Sequence, residues 1–158
     1  MRILLSALAF FVLASAPAFA SASLSCEASD KTVKLTIEAG ISRGVGDDFF
    51  SFKGELEILS PGASKDFRKV EFVKENLTQR WLDNRNLKLK IYRERQGEPH
   101  GYVDVVIEAW PKKDSDDIEF RGGYVLTIFD MSVKDMGVKK DGEGKTTILK
   151  GRVTCSAG

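Results

Sequence analysis

Two cysteines constrain this chain more than any other feature, because one stands near its beginning and the other near its end: Cys26 and Cys155. Each lies in an alternating stretch. Residues 146–156 place Leu149, Val153 and Cys155 on one face and Lys150, Arg152 and Thr154 on the other, and in 24–28 the residues Leu24, Cys26 and Ala28 share a face. Period-two alternation is the pattern of a half-buried β-strand. With no third cysteine to compete, a disulfide is expected that fastens the first strand to the last. A sheet whose end strands meet is closed or nearly closed, and closure removes the exposed edges through which β proteins aggregate. The bond would close a loop of 155 − 26 = 129 residues, stabilising the fold by roughly 5 kcal/mol on the chain-entropy model. There is no CxxC spacing, so a thioredoxin-like redox role is not available.

The start of the chain agrees with an oxidising destination. Arg2 is followed by an apolar run over 3–14, then Pro17 and two overlapping small-x-small sites, Ala18-Phe19-Ala20 and Ala20-Ser21-Ala22. These are the parts of a secretory signal peptide, expected to span 1–20, with a single β domain over 21–158. The run is shorter than the roughly 20 apolar residues of a membrane span, so none is expected. Ser23 stands three residues before Cys26, where acylated bacterial cysteines have leucine. A periplasmic or secreted location follows, one in which two cysteines pair. Removing Arg2 with the leader lowers Lys+Arg from 24 to 23, against 23 Asp+Glu. A net charge near zero argues against nucleic acid and against anionic membranes as partners, since both demand a basic surplus.

Between the cysteines the chain reads as period-two segments divided by Gly, Pro, Asp and Ser clusters. Residues 31–39 turn Val33, Leu35, Ile37 and Ala39 to one face, with a loop expected over 40–48. Residues 49–59 are expected to bury Phe50, Phe52, Gly54, Leu56 and Ile58; 67–73 form a weaker strand burying Val70 and Phe72. Asn76 followed by Gln79 resembles a capping box, and Leu77 and Trp81 stand four apart, so a short helix is predicted over 76–83. Strands then resume: 86–94 buries Leu87, Leu89 and Ile91; 102–110 buries Val103, Val105, Ile107 and Ala109; 118–130 buries Ile118, Phe120, Tyr124, Leu126 and Ile128. Gly122-Gly123 in the last of these suggests a bulge or bend, and 131–145 reads as a polar loop. The basic run of 80–95 is expected to be a solvated strand face, with Asp104 and Glu108 on the next strand for cross-strand pairing. Seven or eight strands, one short helix and no βαβ alternation predict an all-β fold, an antiparallel closed or nearly closed barrel or sandwich.

Motifs for chemistry are few. His100 is the only histidine and sits in a turn beside Pro99, so neither a Ser/His/Asp set nor a His-based zinc site can be assembled. Residues 142–146 resemble the end of a P-loop, but Lys139 replaces the required first glycine and a strand follows instead of a helix. No cofactor, no metal and no catalytic residue is assigned. Paired carboxylates leave a hydrolase as the most remote option. The reading favoured is a non-enzymatic binding or inhibitory domain acting on an unknown envelope or extracellular macromolecule; the alternative is a carrier holding a small apolar ligand inside the barrel, as lipocalin-like barrels do. Bulky inward residues favour the first, since they fill an eight-stranded barrel. In architecture the expected barrel is broadly similar to bacterial lysozyme-inhibitor barrels, without a shared motif.

Strand alternation locates the partner surface. If 31–39 runs upward, the connections 40–48, 76–83 and 111–117 fall at the upper end, bringing together Arg43, Asp47, Asp48, Trp81, Arg80, Arg85, Trp110, Asp114, Asp116 and Asp117. Tryptophan and arginine are enriched at binding hot spots, and loops on a rigid frame collect binding residues. Arg43 and Trp110 are the expected contacts, with Trp81, Asp47 and Asp48 beside them. The bland option for Trp81 is that it plugs the barrel, and the acidic turns are a remote option for Ca²⁺.

Overall fold

The computed structural model describes residues 21–42, 48–61, 63–83, 86–112, 118–132 and 144–158. The expected signal peptide lies outside the described residues. There are nine strands: β1 (Ser21–Ser29), β2 (Val33–Ser42), β3 (Asp48–Ile58), β4 (Lys69–Val73), β5 (Leu77–Leu82), β6 (Leu87–Glu94), β7 (Gly101–Pro111), β8 (Ile118–Asp130) and β9 (Lys145–Ala157). All neighbours are antiparallel, in the order β4-β3-β2-β1-β9-β8-β7-β6-β5, which makes a nearly closed barrel.

Alternation puts the apolar set inside. Leu24, Cys26, Val33, Leu35, Ile37, Leu56, Phe72, Leu87, Leu89, Ile91, Val103, Val105, Ile107, Phe120, Tyr124 and Leu126 are all buried, as a strand pleat with one face on a core requires. The first and last strands meet as expected. Cys26 and Cys155 stand directly opposite one another in the β1–β9 ladder and are bonded, with Cα atoms 4.0 Å apart. The cross-strand charges pair too: Lys88 with Glu108 and Lys90 with Asp104, each at 3.3 Å.

The chain departs from expectation where it changes ladder. The helix predicted over 76–83 is absent; a single 3-10 turn, Lys74–Asn76, leads straight into β5. Asn76 does cap, but it caps the turn. Its Oδ1 accepts from the Val73 N–H at 2.9 Å and its Nδ2 donates to the Tyr92 carbonyl at 3.2 Å. A helix of two turns is marginal on its own, and residues 77–82 gain a ladder with β6 instead. Because β4 and β5 run the same way, end to end, they act as one stave whose lower half bonds β3 and whose upper half bonds β6. Nine strands therefore make eight staves, one more strand than the upper expectation.

Two bulges reassign faces. In β3, Ser51 and Phe52 together stand opposite Ala39, and Ser51 has φ +50°. This flips the parity above the bulge, so Phe49 is buried and Phe50 is 41% exposed, against the expectation that Phe50 faces in. Phe50 lies across Gly40, where a Cβ would meet its ring at 2.3 Å. In β5 the register shifts between Leu77 and Gln79, and the extra residue, Thr78, donates its hydroxyl to the Lys90 carbonyl at 3.0 Å. Leu77 consequently packs on the core while Trp81 points out. At Gly122-Gly123 the ladders to β7 and β9 are unbroken, so no bulge is present there. The glycine serves close approach: a Cβ on Gly122 would sit 1.9 Å from the Glu108 carbonyl oxygen.

Candidate functional site

Strand direction places the upper and lower ends as the sequence predicts. The β2–β3, β5–β6 and β7–β8 connections lie above, and the β1–β2, β3–β4, β6–β7 and β8–β9 connections below. Arg43 and Asp47, with Arg85, Asp114, Asp116 and Asp117, lie outside the described residues. Asp48 opens β3 opposite Ser42. Trp81 and Trp110 are both on the outer wall, 59% and 53% exposed. The plugging option for Trp81 is thereby excluded, for the reason given by the Thr78 bulge.

The ladders relate the two tryptophans. Trp81 faces Lys88, Lys88 faces Glu108, and Trp110 is the next outward residue beyond Glu108. Their backbone positions stand two strands across and one outward position along, on the order of 12 Å apart. Trp110 also faces Arg121 on β8, whose Nε donates to Glu119 at 2.8 Å, with Lys112 on the same carboxylate at 3.1 Å. The Trp81 Nε1–H donates to Asp83 Oδ2 at 3.2 Å. The result is an upper outer wall with two large apolar surfaces set among side chains already held by ion pairs.

The lower end carries a cluster that sequence reading missed. Arg95, its side chain 10% exposed, bridges two carboxylates. Its Nε donates to Asp66 Oδ2 and its Nη1 to Asp130 Oδ1 at 3.1 Å; Nη2 donates to Ser64 Oγ at 3.2 Å, and the guanidinium lies 4.5 Å over the Phe67 ring. Asp130 Oδ1 also accepts from the Ser132 N–H and hydroxyl at 2.8 and 2.6 Å, while Oδ2 has no donor. Burial pushes Asp130 up, but Arg95, Ser132 and the nearby Ser64 hydroxyl outweigh it and hold the carboxyl at about 2. Asp66 is likewise lowered by Arg95, and Arg95 is raised by Asp66 and Asp130. A second lower-end tie joins the Tyr124 hydroxyl to Asp30 Oδ2. It draws Asp30 down to about 2, while burial and that bond push Tyr124 up to about 12. The only advance signal was Tyr124 itself, because a buried tyrosine hydroxyl needs a partner; Asp66 in the β3–β4 connection, Arg95 after β6 and Asp130 at the end of β8 share no spacing.

On the outer wall at the lower end, Tyr92, Tyr102, Phe129 and His100 form a contiguous ring group, Tyr102 and Phe129 stacked at 5.4 Å. Cavities of about 330–340 Å³ open on the outside of β2–β4, beside Arg95 at the β4–β6 gap, and at the lower mouth between the β3–β4 connection and β9. Comparison with known protein families, curated proteins and solved structures finds nothing that matches this chain. The function rests on geometry alone. Among the described residues, no group of three or more His, Cys, Asp or Glu is placed to hold a metal, and no helix is long and apolar enough to cross a membrane.

Proposed function

We propose that this chain is an exported, non-enzymatic binding or inhibitory β-domain that grips another macromolecule in the envelope or outside the cell through its upper outer wall. The observation that carries this reading is the pair Trp81 and Trp110, each more than half exposed, on one outer wall of a rigid sheet with Lys88 and Glu108 between them. A tryptophan costs little side-chain entropy to immobilise and buries a large area on contact, which is why it recurs at the centre of interfaces. Arg121 and Lys88 beside them supply cations whose local partners can be exchanged for those of a binding protein. The disulfide suits an oxidising compartment.

Two features speak for this reading over its rivals. Inward positions carry Phe49, Phe52, Phe72, Phe120 and Tyr124, all buried, where a carrier needs vacant volume. The two lower-end carboxylates, Asp66 and Asp130, are both held low by Arg95, whereas paired-carboxylate hydrolysis needs one of them raised toward neutrality. The test is affinity capture from an envelope fraction with the chain as bait, repeated with Trp81→Ala/Trp110→Ala. Loss of the captured partner with an unchanged thermal midpoint supports the reading. Equal capture by the double variant moves the search to the other end.

A further inference from the structure

At the lower end β9 outruns its neighbour on one side. It pairs with β8 from Lys145 to Ala157 but with β1 only from Thr154 to Ala157. Among the described residues no backbone group bonds 145–152 on the β1 side. This free edge is rich in β-formers, Thr146, Thr147 and Ile148, and is bracketed by Lys145 and Lys150. Flanking lysines blunt an edge against indiscriminate pairing, while its open N–H and C=O groups still accept one extended segment.

Beside the edge lies the lower-mouth cavity of about 330 Å³, walled by Ile58, Ala63, Ile128, Asp130, Lys145 and Thr147. Asp130 is the second observation. Its side chain is 5% exposed, and while Oδ1 takes three donors, Oδ2 takes none. One guanidinium is shared between two carboxylates, so the Arg95–Asp66–Asp130 group retains one negative charge. Lys145 stands directly opposite Asp130 on β9, yet supplies Oδ2 with no donor. A buried anionic oxygen without a donor is a costly arrangement, and the cavity beside it is where a donor can enter.

We propose that this corner receives a basic side chain, lysine or arginine, carried on an extended segment of a partner protein that adds to the β9 edge and sets its cationic group against Asp130 Oδ2. Successive side chains of an added strand point alternately to the two faces, so one position in two reaches the cavity and specificity falls on that residue. The inference rests on the reading of the chain as a protein binder, but places a contact at the end opposite the tryptophans.

The test uses the isotope-labelled chain from Ser21 to Gly158 and follows its amide resonances while n-butylammonium, n-butylguanidinium, n-butanol and butanoate are added in turn. The two cations are expected to shift Ala63, Asp130 and Thr147 saturably in the millimolar range, and the alcohol and the anion are not. Asp130→Asn should abolish the cation shifts. Should that variant unfold, Ala63→Leu, which fills the cavity without touching the carboxylate, should abolish them instead. Equal responses to butylammonium and butanol, or cation shifts that survive Ala63→Leu, overturn the site and leave water as the missing donor. A blocked peptide Thr-Val-Lys-Val-Thr should then bind at least about tenfold more tightly than butylammonium, and its norleucine analogue should not; parity between peptide and amine overturns the strand-addition half. The Trp81→Ala/Trp110→Ala variant should titrate unchanged, so failure here leaves the tryptophan reading standing.

Discussion

Where β9 meets β1, four residue pairs and a disulfide close the barrel. Where β4 gives way to β5, the lower half of the wall between β4 and β6 has no ladder and is bridged by side chains: Arg93 Nη1 to the Glu71 carbonyl at 2.9 Å, Asn76 to the Tyr92 carbonyl at 3.2 Å, and Arg95 to Asp66. The first seam is fastened covalently, with the Tyr124–Asp30 hydrogen bond below it; the second has no covalent tie and depends on charge. Each therefore has its own way of failing, and the two can be opened separately.

The largest effect is expected at the covalent seam. Cys155→Ser should lower stability by roughly 5 kcal/mol on the loop-entropy model, read from denaturant unfolding against the parent. Hydrogen exchange should quicken first at Cys26, Glu27 and Thr154, which share that ladder; uniform quickening around the barrel would show that the two seams are not independent. Next comes Arg95→Met, which leaves Asp66 and Asp130 without their shared cation. Removing one partner of a buried pair costs about 3–5 kcal/mol, and exposure of Asp66 puts this case at the low end. Cys26–Cys155 should stay oxidised in that variant, as non-reducing peptide mapping would check.

Acid separates the seams more gently. Asp130 is held at about 2 against an ordinary value of 3.8, so its contribution is complete above pH 4 and is lost as pH falls toward 2, on the order of 2 kcal/mol. Arg95→Met should make that part of the stability curve shallower, the remaining slope coming from Asp30, which Tyr124 holds at about 2, whereas Cys155→Ser should leave the slope intact. At the other extreme Tyr124, raised from 10.0 to about 12, contributes fully below pH 10 and loses its contribution between 10 and 12. The smallest effect is expected from Arg93→Met, about 1 kcal/mol for one exposed hydrogen bond to a carbonyl. An effect as large as that of Arg95→Met would mean that the gap, not the turn cluster, holds the second seam.

The difference between the seams is also the difference between what the residues announce and what they conceal. Leu24, Cys26 and Ala28 against Val153 and Cys155 declare both the strands and their pairing, because each side chain's face follows from counting by two. The same counting offered Asp104 and Glu108 to the basic run, and they pair with Lys90 and Lys88. It fails wherever a residue is inserted, which counting by two cannot see: the extra residue at Ser51 in the β2–β3 ladder exchanges Phe49 for Phe50, and that at Thr78 beside the other seam turns Trp81 outward. Nor can local pattern reveal that 69–82 is one stave divided between two ladders, since Asn76 and Gln79 suit a helix cap as well as a turn. Trp110 was legible as outward because no irregularity lies between it and Val103. Arg95 was not, because its partners meet it only after three lower connections converge.

The bond between Cys26 and Cys155 joins residues 129 apart in sequence, and just beyond it Ser23 and Gly158 exchange backbone hydrogen bonds at 2.7 and 3.0 Å. In covalent terms the domain is a ring whose two ends leave at the same rim. A protease that cuts any connection between β2 and β9 linearises the ring without releasing a fragment, so the nicked protein keeps its mass until a reductant is added. A chain of this kind endures a first cleavage as a change of topology, and only a second cut or a thiol divides it.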